Sequence, residues 1–336
     1  AVVPGSLTLL GAVHPDPAAR ARAIGLWGGA GGVAAAVGPI LGGMLVTAVG
    51  WRSVFWINLP VIAVAVLLTI RAVDGTRGIA PRGLDLFGPG LSALGLAAGT
   101  WAVISAGERG WGVLQLAAAV AAAGLLTGFV AVERRIPEPM LPSGLFAGRG
   151  FTVAVTVGFC LNVSFFGQLF VLSLFFQRTL GHDAWEAGLA LAPQACSAVV
   201  AAPLGGRAAA RFGVFPAMLM GLVLGAAGFV GTAFIGSGTA PLVVSGVTFA
   251  AGFGMAFAMP AATAAAVSAV PDELAGTAGG VVNAARQTGS VAGVAILGGV
   301  VAADASPSGF RVAMLMAAGI FIAAAALVSA AARDPA

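Results

Sequence analysis

Residues 24–49 read IGLWGGAGGVAAAVGPILGGMLVTAV and run for 26 positions without a charged side chain. At 1.5 Å per residue, this stretch is long enough to cross a hydrocarbon core of about 30 Å. Small residues recur along it at three- or four-residue spacing, at Gly28, Gly32, Ala35, Pro39 and Gly43. Residues at that spacing share one face of a helix. We therefore predict a membrane-spanning helix with one face open to close helix packing.

Pro39 lies inside this predicted helix, and Gly50 follows it. Because Pro39 removes one intrahelical hydrogen bond and crowds the carbonyl of Ala35, we expect the helix to bend there. Gly50 begins a short turn into the next apolar span. From this pattern we expect Gly42→Leu to disturb helix packing, and Gly50→Ala to matter less.

The composition excludes most soluble classes of protein. Of the 336 residues, 59% are hydrophobic and only 8% are charged, against about 25% charged in soluble proteins. The formal net charge is +4, but the basic residues are all arginines that stand singly or in pairs between apolar spans. We therefore expect a lipid bilayer and no nucleic acid as the partner. Cys160 and Cys196 fall in apolar spans, so we expect no structural disulfide.

Apolar runs separated by polar loops predict an all-α polytopic membrane protein of about ten complete transmembrane helices plus a partial one. The complete spans lie near 24–49, 53–70, 85–106, 112–132, 151–177, 187–206, 214–236, 240–268, 278–302 and 311–332. They group into a helix remnant at 1–13, two helices at 14–71, a linker with a central helix pair at 72–132, a linker at 133–150, and a six-helix bundle at 151–336.

Arginines are distributed unevenly over alternate loops. If the loop at 14–23 is cytoplasmic, that side of the membrane receives 11 of the 16 arginines, the other side receives Arg52, Arg109, Arg178 and Arg311, and Arg286 lies inside a span. Positive residues favour the cytoplasmic side. The count predicts a cytoplasmic C-terminus.

The string Gly38-Pro39-Ile40-Leu41-Gly42-Gly43 resembles the antiporter motif of the major facilitator superfamily, with Ala34 in place of its first glycine. The segments GWRSVFWINLP at 50–60 and GTAGGVVNAARQTGSVAGVAILG at 276–298 also look like the fourteen-helix drug:proton antiporter group of that superfamily. The residues that carry the motif and its helix packing are Gly28, Gly32, Gly38, Pro39, Gly42 and Gly43.

This resemblance implies a major facilitator superfamily-like helical bundle in a bacterial cell membrane. It implies a secondary active transporter that exports hydrophobic drugs or antibiotics, with no cofactor and a proton gradient as its energy source. By this alignment the chain is a fragment that enters at the end of the fourth helix, so the missing N-terminal helices are an expected partner. A second copy of the family's cytoplasmic loop motif lies at Gly206, Arg207, Arg211 and Gly213, with Ala210 where an aspartate is expected.

Polar residues inside the predicted spans are candidates for lining a substrate cavity. They are Asn162, Gln168, Gln194, Asn283, Arg286 and Gln287. Arg286 either lines the cavity or extends its side chain to water at the cytoplasmic boundary. Asp85 and Glu108 lie at span boundaries and are interpreted as interfacial, so the sequence indicates no proton carrier.

The chain shows no pattern of catalytic or metal-ligating residues, because its only histidines, His14 and His182, lie in loops. We therefore expect no enzyme activity and no metal site. Two alternatives to export remain at this stage. One is a truncated membrane protein without transport activity, and the other is a permease subunit that needs a separate ATPase.

Overall fold

The structure is a computed structural model that describes residues 34, 37–72, 87–110, 112–136, 143–271 and 274–333. All regular structure in these residues is helical. The helices are α1 (Val37–Val49), α2 (Ser53–Trp56), α3 (Asn58–Ala72), α4 (Phe87–Arg109), α5 (Val113–Glu133), α6 (Arg149–Leu174), α7 (Ala184–Phe212), α8 (Val214–Thr232), α9 (Pro241–Ser268), α10 (Ala275–Ala303) and α11 (Pro307–Arg333). A 3₁₀ helix at Ser143–Ala147 precedes α6, and a π-helical turn at Phe175–Thr179 follows it.

The predicted fold class is confirmed, since each of the ten predicted spans is helical in its described part. Seven of these helical segments are long and apolar enough to cross a membrane. The apolar part of α4, Gly90–Ala106, is shorter, and α1 is described only from Val37. Helix α10 has 29 residues but is not among the seven, since polar side chains and glycines interrupt its apolar sequence. Crossing by these three helices therefore remains a prediction.

Helices α6 to α11 share one hydrophobic core. Its largest fully buried side chains include Phe151, Phe176, Phe229 and Phe321, one from each of α6, the π-helical turn, α8 and α11. The rings of Phe229 and Phe321 meet edge to face, with centroids 4.8 Å apart. This core gives the six C-terminal helices a common interior that the described N-terminal helices do not share.

Glycines allow the helix backbones of this bundle to touch. A Cβ added at Gly221 of α8 would lie 2.7 Å from the carbonyl oxygen of Gly254 on α9, and Gly254 in turn contacts the backbone of Gly225. On the other side of the bundle, Gly293 of α10 lies against the carbonyl of Val163 on α6. Between apolar helices in lipid, such close approach is the main source of attraction.

The central helices α4 and α5 pack against each other, and α4 also packs against α10. A Cβ at Gly95 would lie 2.9 Å from Cγ of Leu126, so Gly95 sets the separation of the two helices. The Gln115 amide donates a 3.0 Å hydrogen bond to the Ser105 hydroxyl, which joins the ends of α4 and α5. By contrast, α3 exposes apolar side chains all round within the described part of the chain.

Helix α7 is longer than predicted at both ends. It begins at Ala184 because Asp183 accepts a 2.8 Å hydrogen bond from the backbone N–H of Glu186, while the Glu186 carboxylate accepts from the N–H of Asp183. It ends at Phe212, and Gly213 makes the turn with φ of +92°. The assignment of Gly206, Arg207 and Arg211 to a loop is therefore wrong, because all three lie in the helix.

Gly254→Ala tests the contact between α8 and α9. The added methyl group would collide with the backbone of Gly225, so we expect a loss of about 1–3 kcal/mol in the free energy of unfolding. Gly246→Ala is the matched control on the same helix, because none of the described residues comes within 4 Å of a Cβ there. Thermal unfolding of the purified chain in detergent measures both, and equal unfolding midpoints would contradict this packing.

Candidate functional site

Helix α1, which carries the antiporter-like string, touches the bundle at the start of α7. A Cβ at Gly188 would lie 2.5 Å from the carbonyl oxygen of Pro39 and 3.6 Å from Cα of Gly43. A Cβ at Gly43 would lie 3.2 Å from Cα of Trp185 and would also meet the carbonyl of Ala184. Pro39 and Gly43 are four residues apart and share one helix face. The contact therefore joins two backbones and uses the predicted small-residue face.

Gly42 and Gly38 lie away from this contact, and no described residue lies within 4 Å of a Cβ built at either position. Gly50 has φ of +101°, a conformation that is strained for alanine. The expectation that Gly42→Leu disturbs packing more than Gly50→Ala is therefore wrong on both counts. Gly28 and Gly32 lie outside the described residues.

Two of the predicted cavity-lining residues meet inside the bundle. The Gln194 amide of α7 donates a 2.8 Å hydrogen bond to the Gln168 side-chain carbonyl on α6. Both side chains are almost completely buried, at 1% and 0% exposure. Gln168 Nε2 and Gln194 Oε1 have no hydrogen-bond partner among the described residues. Each glutamine thus has one polar atom without a hydrogen bond. An unpaired buried polar atom lowers the stability of the folded protein.

The backbone around Gln194 is locally weakened. Pro193 cannot donate to the carbonyl of Leu189, which leaves one gap in the hydrogen-bond ladder of α7. The Ser197 hydroxyl donates to the Gln194 carbonyl at 2.6 Å, and Gly252 of α9 packs against both residues. The amide pair therefore lies where α6, α7 and α9 meet.

Asn162 lies on α6, at 1% exposure, and its side-chain oxygen has no hydrogen-bond partner among the described residues. Two residues further on, the Ser164 hydroxyl donates a 3.0 Å hydrogen bond to the carbonyl of Ala317 and so ties α6 to α11. In this conformation Asn162, Gln168 and Gln194 are enclosed between helices. Their role as cavity lining remains a prediction.

Arg286 lies 11 residues after the first residue of α10, about 16 Å along the helix axis. Its stem packs against α6, where a Cβ at Gly158 would lie 3.4 Å from Arg286 Cγ. Its Nε atom is buried and has no hydrogen-bond partner among the described residues. Asn283 is half-buried and Gln287 is exposed on the same helix. Arg286 therefore faces α6, whereas the neighbouring Gln287 faces away from the bundle.

Some placements were not anticipated from the sequence. Glu133 ends α5 and is 5% exposed, although the sequence assigned it to a linker. Of the residues interpreted as interfacial, Asp85 lies outside the described residues, and the backbone of Glu108 lies near the end of α4. A buried acid at a helix end carries no sequence signal, because its burial depends on the neighbouring helices.

Comparison with known proteins identifies the family. The sequence model of the Major Facilitator Superfamily matches residues 1–294. The chain therefore belongs to the major facilitator superfamily, a family of membrane transporters and not of enzymes. The predicted resemblance to that superfamily is confirmed.

Relatives with curated names are drug and antibiotic resistance proteins. The chain is 36% identical to the methylenomycin A resistance protein of Streptomyces coelicolor, over 88% of this chain and 62% of that protein. It is 34% identical to the tetracenomycin C resistance and export protein of Streptomyces glaucescens, over 88% of this chain and 55% of that protein. Against the methylenomycin A resistance protein of Bacillus subtilis, the identity is 32% over 94% of this chain and 69% of that protein. The chain thus spans little more than half the length of the two Streptomyces relatives.

Among solved structures, the chain is similar to a point mutant of the nucleoside transporter NupG. The TM-score is 0.50 at 16% identity, over 97% of this chain and 86% of that chain. At this identity the likeness shows the fold alone.

Replacing one or both glutamines tests the amide pair. In Gln194→Leu the Gln168 carbonyl loses its donor, so we expect the free energy of unfolding to fall by about 1 kcal/mol. Adding Gln168→Leu removes the unpaired group, so the double variant should recover part of that loss. Thermal unfolding of wild type, Gln194→Leu, Gln168→Leu and the double variant in detergent measures the interaction free energy between the two glutamines. Losses that simply add in the double variant would contradict a direct interaction.

Proposed function

We propose that the chain is the C-terminal part of a transporter that exports a hydrophobic drug or antibiotic against proton flow. The observation that carries the proposal is the backbone contact of Pro39 and Gly43 on α1 with Ala184 and Gly188 on α7. It connects the helix with the antiporter-like string to the six-helix bundle. The names of the Streptomyces relatives support the drug and antibiotic class of cargo.

Alternating access needs helices that meet closely in one state and separate in the other. At the contact between α1 and α7, the closest approaches are made by main-chain atoms of glycine, proline and alanine. Such a contact has few long side chains that must disentangle when the helices part. It therefore suits a joint at which the bundle and the N-terminal helices rock against each other.

The enclosed amides supply groups for cargo recognition. Opening of the bundle between α6 and α7 would present the unpaired Gln168 Nε2 donor and Gln194 Oε1 acceptor to a ligand. A mostly apolar compound with one polar group would satisfy these atoms and bury its remaining surface among apolar side chains. Gln194 follows Pro193, where a gap in the backbone ladder allows α7 to bend.

Energy coupling is assigned to residues outside this bundle. The sequence places no aspartate or glutamate deep within a predicted span, and proton exchange needs a titratable group in the pathway. The relatives contain additional chain that this sequence does not match, and we propose that helices from that part carry the proton. In this arrangement the protein lies in a bacterial cell membrane with its C-terminus in the cytoplasm.

Dye transport by two chains tests this function. Residues 1–336 alone, in liposomes with a proton gradient, should not move Hoechst 33342. The same residues joined to the part of the Streptomyces coelicolor relative that they do not match should do so, because we propose that this part supplies the other half of the rocking pair. Gradient-driven movement by residues 1–336 alone would contradict the need for further helices, and no movement by the fused chain would contradict export.

Two substitutions in the fused chain test the contact itself. Gly43→Leu should abolish gradient-driven dye movement, because the side chain would collide with the backbone of α7. Gly42→Leu is the matched control and should retain most of the activity, since no residue that the structure describes lies within 4 Å of a Cβ there. Fluorescence of the dye in energised vesicles measures both rates, with the uncoupled signal as the blank. Equal loss in the two variants would contradict a role for this contact.

A further inference from the structure

A cavity of about 600 Å³ opens where α6, α10 and α11 end or begin, with α4 at its rim. Its volume is in the range of small-molecule sites, which is about 300–1,000 Å³. The wall is mostly apolar, and its larger side chains are Ile104, Phe170, Leu174, Phe175, Val294 and Phe310. The cavity is separate from the amide pair, because neither Gln168 nor Gln194 lines it.

One wall of this cavity is the π-helical turn Phe175–Thr179. The Leu180 N–H donates to the Phe175 carbonyl at 3.1 Å, which leaves an extra residue in this turn. Phe175 stacks on Phe310 of α11 with ring centroids 4.2 Å apart, so the wall is fixed to the neighbouring helix. Such turns occur frequently at functional sites. Here the turn contributes Phe175, Arg178 and Thr179 to the cavity wall.

Arg178 is the cation of this wall. Its exposed side chain forms no hydrogen bond or salt bridge with any residue that the structure describes. Three acids near this end of the bundle, among the side chains that the structure describes, are held by hydrogen bonds of their own. Asp183 and Glu186 cap α7, and Asp304 accepts from the Ser306 N–H and the Ser308 hydroxyl, both at 3.0 Å. The hydrogen bonds from Ser306 and Ser308 lower the pKa of Asp304. This carboxylate therefore stays ionised, and both serines donate hydrogen bonds to it.

We propose that this cavity binds an amphipathic organic anion. Its apolar body would lie among the phenylalanines, and its carboxylate, sulfonate or phosphate group would meet the guanidinium of Arg178, whose planar donors match such groups. A neutral compound of the same shape gains only the apolar contacts. Binding at this cavity does not depend on proton-driven transport, so failure of one proposal leaves the other intact.

A pair of fluorescent probes that differ in one charged group tests the proposal. 8-Anilinonaphthalene-1-sulfonate carries a sulfonate, and N-phenyl-1-naphthylamine has the same rings without it. In nanodiscs of neutral lipid, Arg178→Gln should weaken binding of the sulfonate about tenfold and leave the neutral probe unchanged. Arg311→Gln is the matched control, because Arg311 lies over the ring of Phe234 and does not line the cavity. Energy transfer from the tryptophans to the probe measures binding, with empty nanodiscs as the blank.

A second variant separates the apolar wall from the charge. Ala302 lines the cavity, and Ala302→Phe should weaken binding of both probes because the added ring occupies the space without adding a tryptophan donor. Competition in wild type then distinguishes the anion's source: phosphatidylglycerol displaces the sulfonate if the site holds a lipid headgroup, and 2-naphthoate displaces it if the site holds a soluble acid. Displacement by neither would overturn the proposal. An unchanged probe ratio in Arg178→Gln, or an equal loss in Arg311→Gln, would also overturn it.

Discussion

The closest helix contacts in this bundle depend on glycines that let one backbone touch another. Between apolar helices in lipid there is little hydrophobic gain from association, so close van der Waals contact must supply the attraction. Gly254 against Gly225, Gly293 against Val163 and Gly205 against Phe257 provide such contacts at three different helix pairs. A side chain at any of the three glycines would force the helices apart. The helix contacts, and hence the shape of the interior, follow from where these glycines stand.

Helix α7 makes glycine-mediated backbone contacts with two helices, and the two contacts differ in how strongly the surrounding core supports them. Gly205 contacts α9 inside the shared core, where buried apolar side chains surround the contact. Gly188 contacts Pro39 of α1, a helix that contributes no residue to this core within the described part of the chain. The first contact is reinforced by the core and the second is not. The bundle is therefore expected to stay together while its contact with α1 opens.

Much of this fold was predictable because helices in a membrane leave a strong sequence signal. The apolar runs located the helices, and the four-residue spacing of Pro39 and Gly43 gave the correct face of α1. Gly42 was misjudged because it belongs to the same motif string but points away from that face. The true start of α7 was readable in its capping residues, which an apolar-run criterion ignores. The π-helical turn was not readable, since it depends on how Phe175 packs against another helix.

The kind of polar group buried in the bundle distinguishes residues suited to cargo binding from residues suited to proton exchange. Burying a neutral amide costs far less free energy than burying a carboxylate, and a carboxylate that is buried tends to take up a proton. Among the described residues of this bundle, the polar side chains that are almost completely buried carry amides and hydroxyls, such as Gln168, Gln194 and Ser164, none of which titrates at physiological pH. Binding of cargo to them would therefore be independent of the proton concentration. If proton flow drives the proposed export, its coupling would act through opening and closing of the bundle and not through a change in charge at these amides.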